Sequence, residues 1–475
     1  MKHGLSLLPS VTELLQACDQ CPQLSRVPNL LLKRWIRTTL HERRSELAEG
    51  RALDHEDRHS EKNLLTGRLR LLATRSENQQ IRKVINATGI VIHTGLGRSP
   101  LSQWALSAIA DCSGSANVEL NLETGQRTHR GFQTEEKLQA LTGCEDSIIV
   151  NNNAAATLLT LHAVQEGVRN EVLISRGQLV EIGGSFRLPE IFSLSGAMMR
   201  EIGTTNRTRL SDYEINIRAT TAAILRVHPS NYRVVGFTES PSISALCQLG
   251  QRNGLPVIDD IGSGSLIDPA QSNGVTQTLS APVQAADEPT FSASLAAGAD
   301  LVLGSGDKLL GGPQCGIIVG SRHWIRRLRQ HPLARAVRVD KLTLAALSAT
   351  LDHYLNHQID QIPVWRMLRE TVPDLRCRAE WLASQLPISD RATIDIEADE
   401  SETGGGSLPT MLLPTIVLRL RVQGISTNIL AQRLRTGRPG VVPRISDDAV
   451  VIDLRSVLPE DVGVLAECLT KVMLP

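Results

Sequence analysis

The feature that most constrains the fold is an alternation of short apolar runs with helical patterns. From Ile85 onward these runs are separated by amphipathic stretches and glycine-rich joints. This alternation is typical of an α/β domain with a mainly parallel sheet, because parallel strands need a long, usually helical crossover between them. Buried strands are predicted at residues 147–150, 171–175, 222–227, 256–260 and 300–303, and helices at 134–141 and 154–165.

The length of 475 residues predicts two or three domains. Residues 1–80 are predicted to form a helical domain, since Ser10 and Glu13 form a capping box before an apolar run. Further helices are predicted at 29–49 and 63–74, joined by a polar linker. Residues 81–340 are predicted to be the large domain. Residues 341–475 are predicted to be a smaller α/β domain, with strands at 415–421 and 449–454. Two polar stretches are predicted to be loops or insertions, at 268–289 and 398–409.

Composition leaves the partners open. Fifty basic and fifty acidic residues cancel, so net charge neither supports nor excludes a nucleic-acid partner. The eight cysteines lack the spacing of a disulfide framework, and a single C-x-x-C pair at Cys18 and Cys21 is weak evidence for zinc. No apolar run is long enough to span a membrane. We therefore expect a cytoplasmic protein with reduced thiols, no metal and no membrane partner.

A glycine-rich turn around Lys308 is the sharpest local motif, in the segment SGDKLLGGPQCG. The glycines permit close approach of a flat ligand, and apolar surroundings would lower the pKa of the lysine amine. Such an amine can form a Schiff base with a carbonyl compound. An exposed lysine in a flexible turn fits the spacing equally well.

A second motif, GLPVIDDIGSGSL, ends a predicted strand with Asp259 and Asp260. Ligands of parallel sheets bind at the carboxyl ends of strands, where a carboxylate can pair with a protonated pyridine nitrogen. Strand alternation places the two aspartates on opposite faces, and the motif alone does not choose between them. Both could also merely cap the strand or bind a metal.

The third motif is a strand that ends in asparagines and leads into a helix of small residues. The helix start at Asn152, Asn153 and Ala154 would offer its N–H groups to a phosphate, with Ser305 as an additional contact. An ordinary N-capped helix is the alternative. In the order anion cradle, aspartate and lysine, the three motifs resemble those of fold-type-I enzymes that use pyridoxal 5′-phosphate, and it is this resemblance, not the spacing, that implies the cofactor.

Longer stretches resemble the bacterial L-seryl-tRNA(Sec) selenium transferase family. They include INATGIVIHTGLGRSPLS and SGDKLLGGPQCG and cover most of residues 80–350, while LPSVTELL near the N-terminus is similar to that family's tRNA-binding domain. The sequence departs from the family pattern at Cys315, where an alanine is usual, and in a longer 268–289 segment. Both departures leave Lys308 unchanged.

The resemblance implies a role for each matched residue. Lys308 would carry pyridoxal 5′-phosphate, and Asp260 would face its pyridine nitrogen. Arg98, Arg335 and Arg338 would bind selenophosphate, because arginine presents a planar, permanently charged fork to an oxyanion. By pattern alone, Arg335 and Arg338 would make only surface salt bridges from one helix.

The resemblance also implies the reaction and the assembly. Serine on tRNA(Sec) would become selenocysteine, in a homodecamer built from dimers. Two other hypotheses remain: a pyridoxal-phosphate lyase acting on a phosphorylated amino sugar or amino acid, and an inactive tRNA-binding scaffold.

Overall fold

The computed structural model describes residues 6–49, 57–182, 186–267, 288–387 and 391–473. The chain divides into two compact units, Met1–Lys83 and Val84–Pro475. Most of the predicted 268–289 insertion, through residue 287, lies outside the described residues.

The described part of the N-terminal unit consists of the helices α1 (Val11–Asp19), α2 (Asn29–Ala48) and α3 (Arg58–Asn78). The predicted capping box is confirmed: the Glu13 amide donates to the Ser10 hydroxyl at 3.2 Å, and the Ser10 amide donates to the Glu13 carboxylate at 2.7 Å. Leucines, one isoleucine, one alanine and two cysteines form its apolar core.

The predicted polar linker of this unit is wrong at its C-terminal end, because α3 already includes residues 58–62. Asp57 caps the helix by accepting from the Ser60 amide at 2.8 Å. The buried Glu61 then pairs with Arg43 of α2 at 2.5 Å. Polar residues here belong to the helix because their charges are paired inside the unit, which the sequence pattern could not reveal.

The described residues of the second unit contain a seven-stranded sheet in the order β2-β10-β9-β8-β7-β3-β6. Its pairs are parallel except that β10 runs antiparallel to both β2 and β9. The α/β fold class is therefore confirmed. The strands are β2 (Asp146–Val150), β3 (Glu171–Ser175), β6 (Met198–Ile202), β7 (Thr221–Val227), β8 (Val257–Gly262), β9 (Leu301–Ser305) and β10 (Gly316–Gly320).

Helices flank this sheet and bury apolar clusters against it. The two predicted helices are confirmed as α5 and α6. The helices of this region are α4 (Gln103–Asp111), α5 (Phe132–Thr142), α6 (Asn153–Ala163), α7 (Leu188–Ser195), α8 (Leu210–Glu214), α9 (Ile243–Asn253), α10 (Phe291–Ala296), α11 (Arg322–Gln330), α12 (Pro332–Ala336) and α13 (Lys341–Leu355). A two-stranded ribbon joins β4 (Glu181–Ile182) to β5 (Phe186–Arg187).

A second sheet in the described residues has the order β1-β13-β14-β12-β11. Its first strand, β1, lies far upstream in sequence and pairs in parallel with β13. The predicted strands near 415 and 449 are confirmed. The elements are β1 (Val84–Ala87), β11 (Ala392–Glu402), β12 (Leu412–Val422), β13 (Gly440–Ser446) and β14 (Ala449–Asp453), with α14 (Pro363–Arg369), α15 (Val372–Ser384), α16 (Thr427–Thr436) and α17 (Val462–Met473).

The predicted loop at 398–409 is wrong in its first half. Residues 398–402 belong to β11, which pairs with β12 along its whole length. Asp399 and Glu397 form ion pairs with Arg419 of β12, so polar side chains can line this strand. Only the remainder, residues 403–411, forms a loop.

Candidate active site

Lys308 follows the end of β9 and is buried, with 3% of its surface exposed. Its backbone carbonyl accepts a hydrogen bond of 2.5 Å from the Ser99 hydroxyl. Burial lowers the pKa of the amine, and the positive charge of Arg98 lowers it further, against the opposing charges of Asp307, Asp260 and Glu288. The structure therefore makes the uncharged, nucleophilic form of this amine more accessible than in a solvent-exposed lysine.

Asp260 is buried on the face of β8 that meets α6. Its carboxylate accepts hydrogen bonds from Asn153 Nδ2 at 2.9 Å, Thr157 Oγ1 at 3.1 Å and the Gly262 amide at 3.1 Å. Burial raises the pKa of this carboxyl group, while these donors and Lys308 oppose the rise. A fixed, buried carboxylate of this kind suits a cationic ring nitrogen.

Asp259 points to the opposite face, as strand alternation predicts. It pairs with Arg226 at 3.0 Å and accepts from the Ser294 hydroxyl at 2.7 Å. These partners hold Asp259 in the packing between β7, β8 and α10. Of the two aspartates, Asp260 is therefore the one beside the start of α6.

The start of α6 lies at the carboxyl end of β2. Asn152 caps the helix by accepting from the Ala155 amide at 2.8 Å, so the side chain of Asn152 serves the helix. The next amides, of Asn153 and Ala154, belong to the first turn, which lacks intrahelical partners for its N–H groups. Ser305 is buried at the end of β9 and pairs there with Gly316.

Two buried side-chain oxygen atoms near Lys308 and Asp260 have unused hydrogen-bonding capacity. Within the described residues, the Ser263 hydroxyl and Asn153 Oδ1 make no hydrogen bond. Ser263 is fully buried, and its carbonyl accepts from the Leu309 amide at 3.2 Å, which places it beside the Lys308 turn. Sequence reasoning missed Ser263, although the Gly-Ser repeat after Asp260 contained the signal.

The loop between β11 and β12, residues 403–411, passes directly over Lys308. A Cβ atom on Gly406 would lie 2.7 Å from Lys308 Nζ, and Gly406 has φ +96°. The loop is fixed at both ends of this crossing: the Thr403 carbonyl accepts from the Ile92 amide at 2.7 Å, and the Leu408 amide donates to Glu288 at 3.0 Å. Sequence analysis predicted this segment as a loop without a role.

A cavity of about 790 Å³ lies beside this crossing. Glu288 and Leu408 border it, together with His228, whose Nε2 lies 3.8 Å from Glu288 Oε2. The remaining wall carries both polar and apolar side chains, among them Gln178 and Arg226. The cavity has the size to admit a substrate group, and it reaches the Lys308 region through Glu288 and Leu408, while Lys308 itself does not border it.

The three predicted anion-binding arginines do not meet within one chain. Arg98, at φ 65°, pairs with Asp307 at 2.7 Å and lies on the Lys308 side. Arg335 and Arg338 border a different cavity, of about 470 Å³. The interpretation that places these two on one helix is wrong: α12 ends at Ala336, and Arg338 forms an antiparallel bridge with Val150.

We call this second space the arginine cavity. Among the described residues, five arginines and two glutamates border it: Arg127, Arg130, Arg329, Arg335, Arg338, Glu119 and Glu135. The formal balance of those seven side chains is three positive charges. The cavity is therefore suited to a multiply charged anion.

The site fits pyridoxal 5′-phosphate on its own chemistry. The buried Lys308 amine, with its lowered pKa, suits the aldehyde of that cofactor, and the buried Asp260 carboxylate suits its ring nitrogen. The start of α6 and the unpaired hydroxyl of Ser263 suit its phosphate. Fold and site together define a pyridoxal-phosphate enzyme of fold type I. In the part of the chain that the structure describes, no group of three metal-ligating side chains and no membrane-spanning helix is found.

Comparison with known proteins identifies the family. The L-seryl-tRNA selenium transferase family model matches residues 84–458, and the chain belongs to this family. It is 41% identical to the L-seryl-tRNA(Sec) selenium transferase of Carboxydothermus hydrogenoformans over 98% of this chain and 97% of that protein. The Aquifex aeolicus protein of the same name is 41% identical, over 96% of this chain and 98% of its own length.

A solved structure of D-glucosaminate-6-phosphate ammonia-lyase shares the fold. The TM-score is 0.57 at 22% identity, over 83% of this chain and 96% of the lyase. The similarity supports the fold assignment alone, because the identity is low. The family assignment makes this chain a pyridoxal-phosphate-dependent enzyme, as the sequence motifs predicted.

Proposed function

We propose that this protein converts L-seryl-tRNA(Sec) to L-selenocysteinyl-tRNA(Sec), with selenophosphate as the selenium donor. The observation that carries the proposal is the identity of about two residues in five with selenium transferases along nearly the whole chain. The intact Lys308 and Asp260 support it, because the reaction needs both an amine and a fixed carboxylate at the cofactor.

In this proposal Lys308 holds the cofactor and Asp260 holds the proton of its ring nitrogen. The start of α6, with Asn152, Asn153 and Ala154, receives the phosphate, assisted by the hydroxyls of Ser263 and Ser305. When bound, pyridoxal 5′-phosphate supplies an electrophilic carbon and an electron-withdrawing ring.

Lys308 also moves the proton at the substrate Cα. In this role the Lys308 amine would accept the proton from the substrate Cα as a general base. The backbone at Gly406 lies close to Lys308 Nζ, so the loop contributes to the burial of this amine. The proton that Lys308 accepts would then pass to the serine hydroxyl, which leaves Cβ as water, and the same Cβ would receive the selenium of the donor.

The donor is proposed to bind Arg98, Arg335 and Arg338. Because Arg98 and the other two lie in different places of one chain, a site with all three would need two subunits. This supports a dimer as the unit of activity, and we propose a decamer of such dimers. We also propose that the N-terminal helical unit binds the tRNA, and that the enzyme works in the cytoplasm.

The domain boundaries at residues 80 and 340 remain part of the proposal. The compact units divide at Lys83, close to the first of them. The second boundary falls at the start of α13, which packs on α4 and α5 of the large sheet. A limited proteolysis pattern with cleavage near each boundary would support these divisions.

One experiment separates the proposal from the lyase alternative. Purified protein with bound cofactor is incubated with seryl-tRNA(Sec) and selenophosphate, beside the Lys308→Ala variant. We expect selenocysteinyl-tRNA from the wild type alone. A cofactor-loaded wild type that leaves the tRNA unchanged but eliminates ammonia from a phosphorylated amino sugar would replace this proposal with the lyase.

A further inference from the structure

The arginine cavity already contains an anion of its own, the carboxylate of Glu119. Its Oε2 pairs with Arg127 Nη2 at 2.7 Å, and its Oε1 pairs with Arg130 Nε at 3.2 Å and Arg338 Nη1 at 3.4 Å. Three of the five arginines of the cavity thus converge on one side chain. Charges placed this way normally stabilise the negative group between them.

Glu119 is held where it is by a short hairpin. The Thr128 amide donates to the Glu119 carbonyl at 3.0 Å, and the Asn121 amide donates to the Gln126 carbonyl at 2.9 Å. Arg127 lies on the same hairpin, whereas Arg338 comes from beside β2. Glu119 therefore joins a local pair to an arginine from a distant part of the sequence.

The other glutamate of the cavity, Glu135, is held too firmly by its own partners to exchange one arginine for a bound anion. Glu135 is buried and is fixed by His129 at 2.8 Å and Arg329 at 3.0 Å, and Arg329 also pairs with Asp146. The side chain of Glu119 is 24% exposed, and its pair with Arg338 is the longest of its three. Arg127 and then Arg130 lower the pKa of Glu119, so it is ionised at neutral pH.

We propose that Glu119 is an internal counter-ion of the selenium-donor site. It neutralises Arg338 in the absence of donor and is displaced from it when a phosphate-like anion binds. A chloride or other monoanion gains little by displacing a carboxylate, whereas a multiply charged oxyanion that bonds several arginines gains more. Glu119 would thereby weaken donor binding somewhat and select for anions of high charge. The inference rests on the proposed function, which assigns the donor to Arg338.

The test measures binding of inorganic phosphate to the cofactor-loaded enzyme by calorimetry. In Glu119→Gln we expect phosphate to bind roughly five- to tenfold more tightly, and added chloride to compete more strongly than in wild type. Glu119→Asp keeps the charge and should remain near wild type. The matched control is Glu460→Gln, which removes a partly exposed carboxylate that pairs with Arg366 at 2.9 Å outside the cavity.

Equal or weaker phosphate binding by Glu119→Gln, in protein with wild-type thermal stability, would overturn the inference. Arg338→Ala separates this failure from failure of the proposed function. Weaker phosphate binding in Arg338→Ala without a gain in Glu119→Gln would reject the counter-ion alone. If Arg338→Ala leaves phosphate binding unchanged, both the donor-site assignment and the counter-ion are rejected.

Discussion

The Lys308 site and the arginine cavity handle charge in opposite ways. Lys308 and Asp260 are almost completely buried, and desolvation lowers the pKa of Lys308 and raises the pKa of Asp260. Both shifts stabilise the neutral form of the side chain relative to its charged form. In the arginine cavity, Arg338 and Arg127 keep 40% and 82% of their side chains exposed. Burial produces a reactive amine at the Lys308 site, whereas clustered, exposed charge produces an anion-binding site in the arginine cavity.

The difference predicts which substitutions change the chemistry and which change binding. A variant at the Lys308 site should lower kcat, whereas a variant in the arginine cavity should raise the KM for the selenium donor.

The largest effect is expected for Lys308→Ala. Without the amine, selenocysteinyl-tRNA formation should fall by at least about a thousandfold, and the visible absorbance of bound cofactor should change. The rate is measured by single-turnover conversion of seryl-tRNA(Sec). Lys471→Ala, at an exposed position in α17, is the control and should be fully active.

The next largest effect compares the two neighbouring aspartates. Asp260→Asn should lower kcat by roughly a hundredfold while the protein remains folded, because the ring nitrogen loses its anionic partner. Asp259→Asn breaks the pair with Arg226 and should lower the free energy of unfolding by about 3 kcal/mol. Steady-state kinetics and urea unfolding of both variants measure this. A large kcat effect from Asp259→Asn in folded protein would reverse the two assignments.

Arg338→Ala tests the arginine cavity. Loss of one charged partner of the anion should cost about 2 kcal/mol, or roughly a thirtyfold rise in the KM for selenophosphate, with kcat little changed. The KM of the wild type should rise more steeply with salt than that of the variant. An exposed arginine elsewhere, Arg252, provides the Arg252→Ala control. A fall in kcat at unchanged KM would place Arg338 outside donor binding.

Gly406→Ala tests the loop over Lys308. The new Cβ would meet Lys308 Nζ at 2.7 Å, so we expect roughly a tenfold loss of activity, beyond a strain cost of about 1 kcal/mol at φ +96°. Gly424→Ala separates the two effects, because Gly424 has φ +77° and nothing within 4 Å of the added atom. Both variants should melt earlier, and only Gly406→Ala should be slow. Equal activity in the two would exclude a role for the crossing.

The smallest effect concerns pH. Because the pKa of Lys308 lies below the ordinary lysine value of 10.5, its uncharged fraction should reach a plateau at lower pH than that of a free lysine. Arg98→Ala removes a positive charge and leaves Asp307 unpaired, and both changes raise the Lys308 pKa. The plateau in the rate of cofactor recombination with the apoenzyme should therefore move to higher pH. A shift to lower pH would contradict this electrostatic assignment.

Much of the frame of the Lys308 site is local and could be predicted from the sequence. Apolar runs bounded by glycine predicted the strand that carries Asp260 and the strand that ends just before Lys308, and small residues after asparagine predicted the start of α6. These signals depend on neighbours a few residues apart, through burial periodicity and capping. For the same reason the Ser10–Glu13 capping box was predictable from a single segment.

Tertiary structure decided the contacts between distant segments. Gly406 lies over Lys308, and Asn153 contacts Asp260, although the members of each pair are far apart in sequence. Arg98 and Arg338, in contrast, pair with different carboxylates, Asp307 and Glu119. No local pattern encodes such pairs, because they depend on which strands lie adjacent in the two sheets. The sequence by itself determined that the chain carries a lysine, an aspartate and a helix start suited to one cofactor. The fold determined how deeply Lys308 is buried, which aspartate lies near it, and that Arg98 and Arg338 lie in different places. Burial and the proximity of charges arise only when the two sheets and their helices pack.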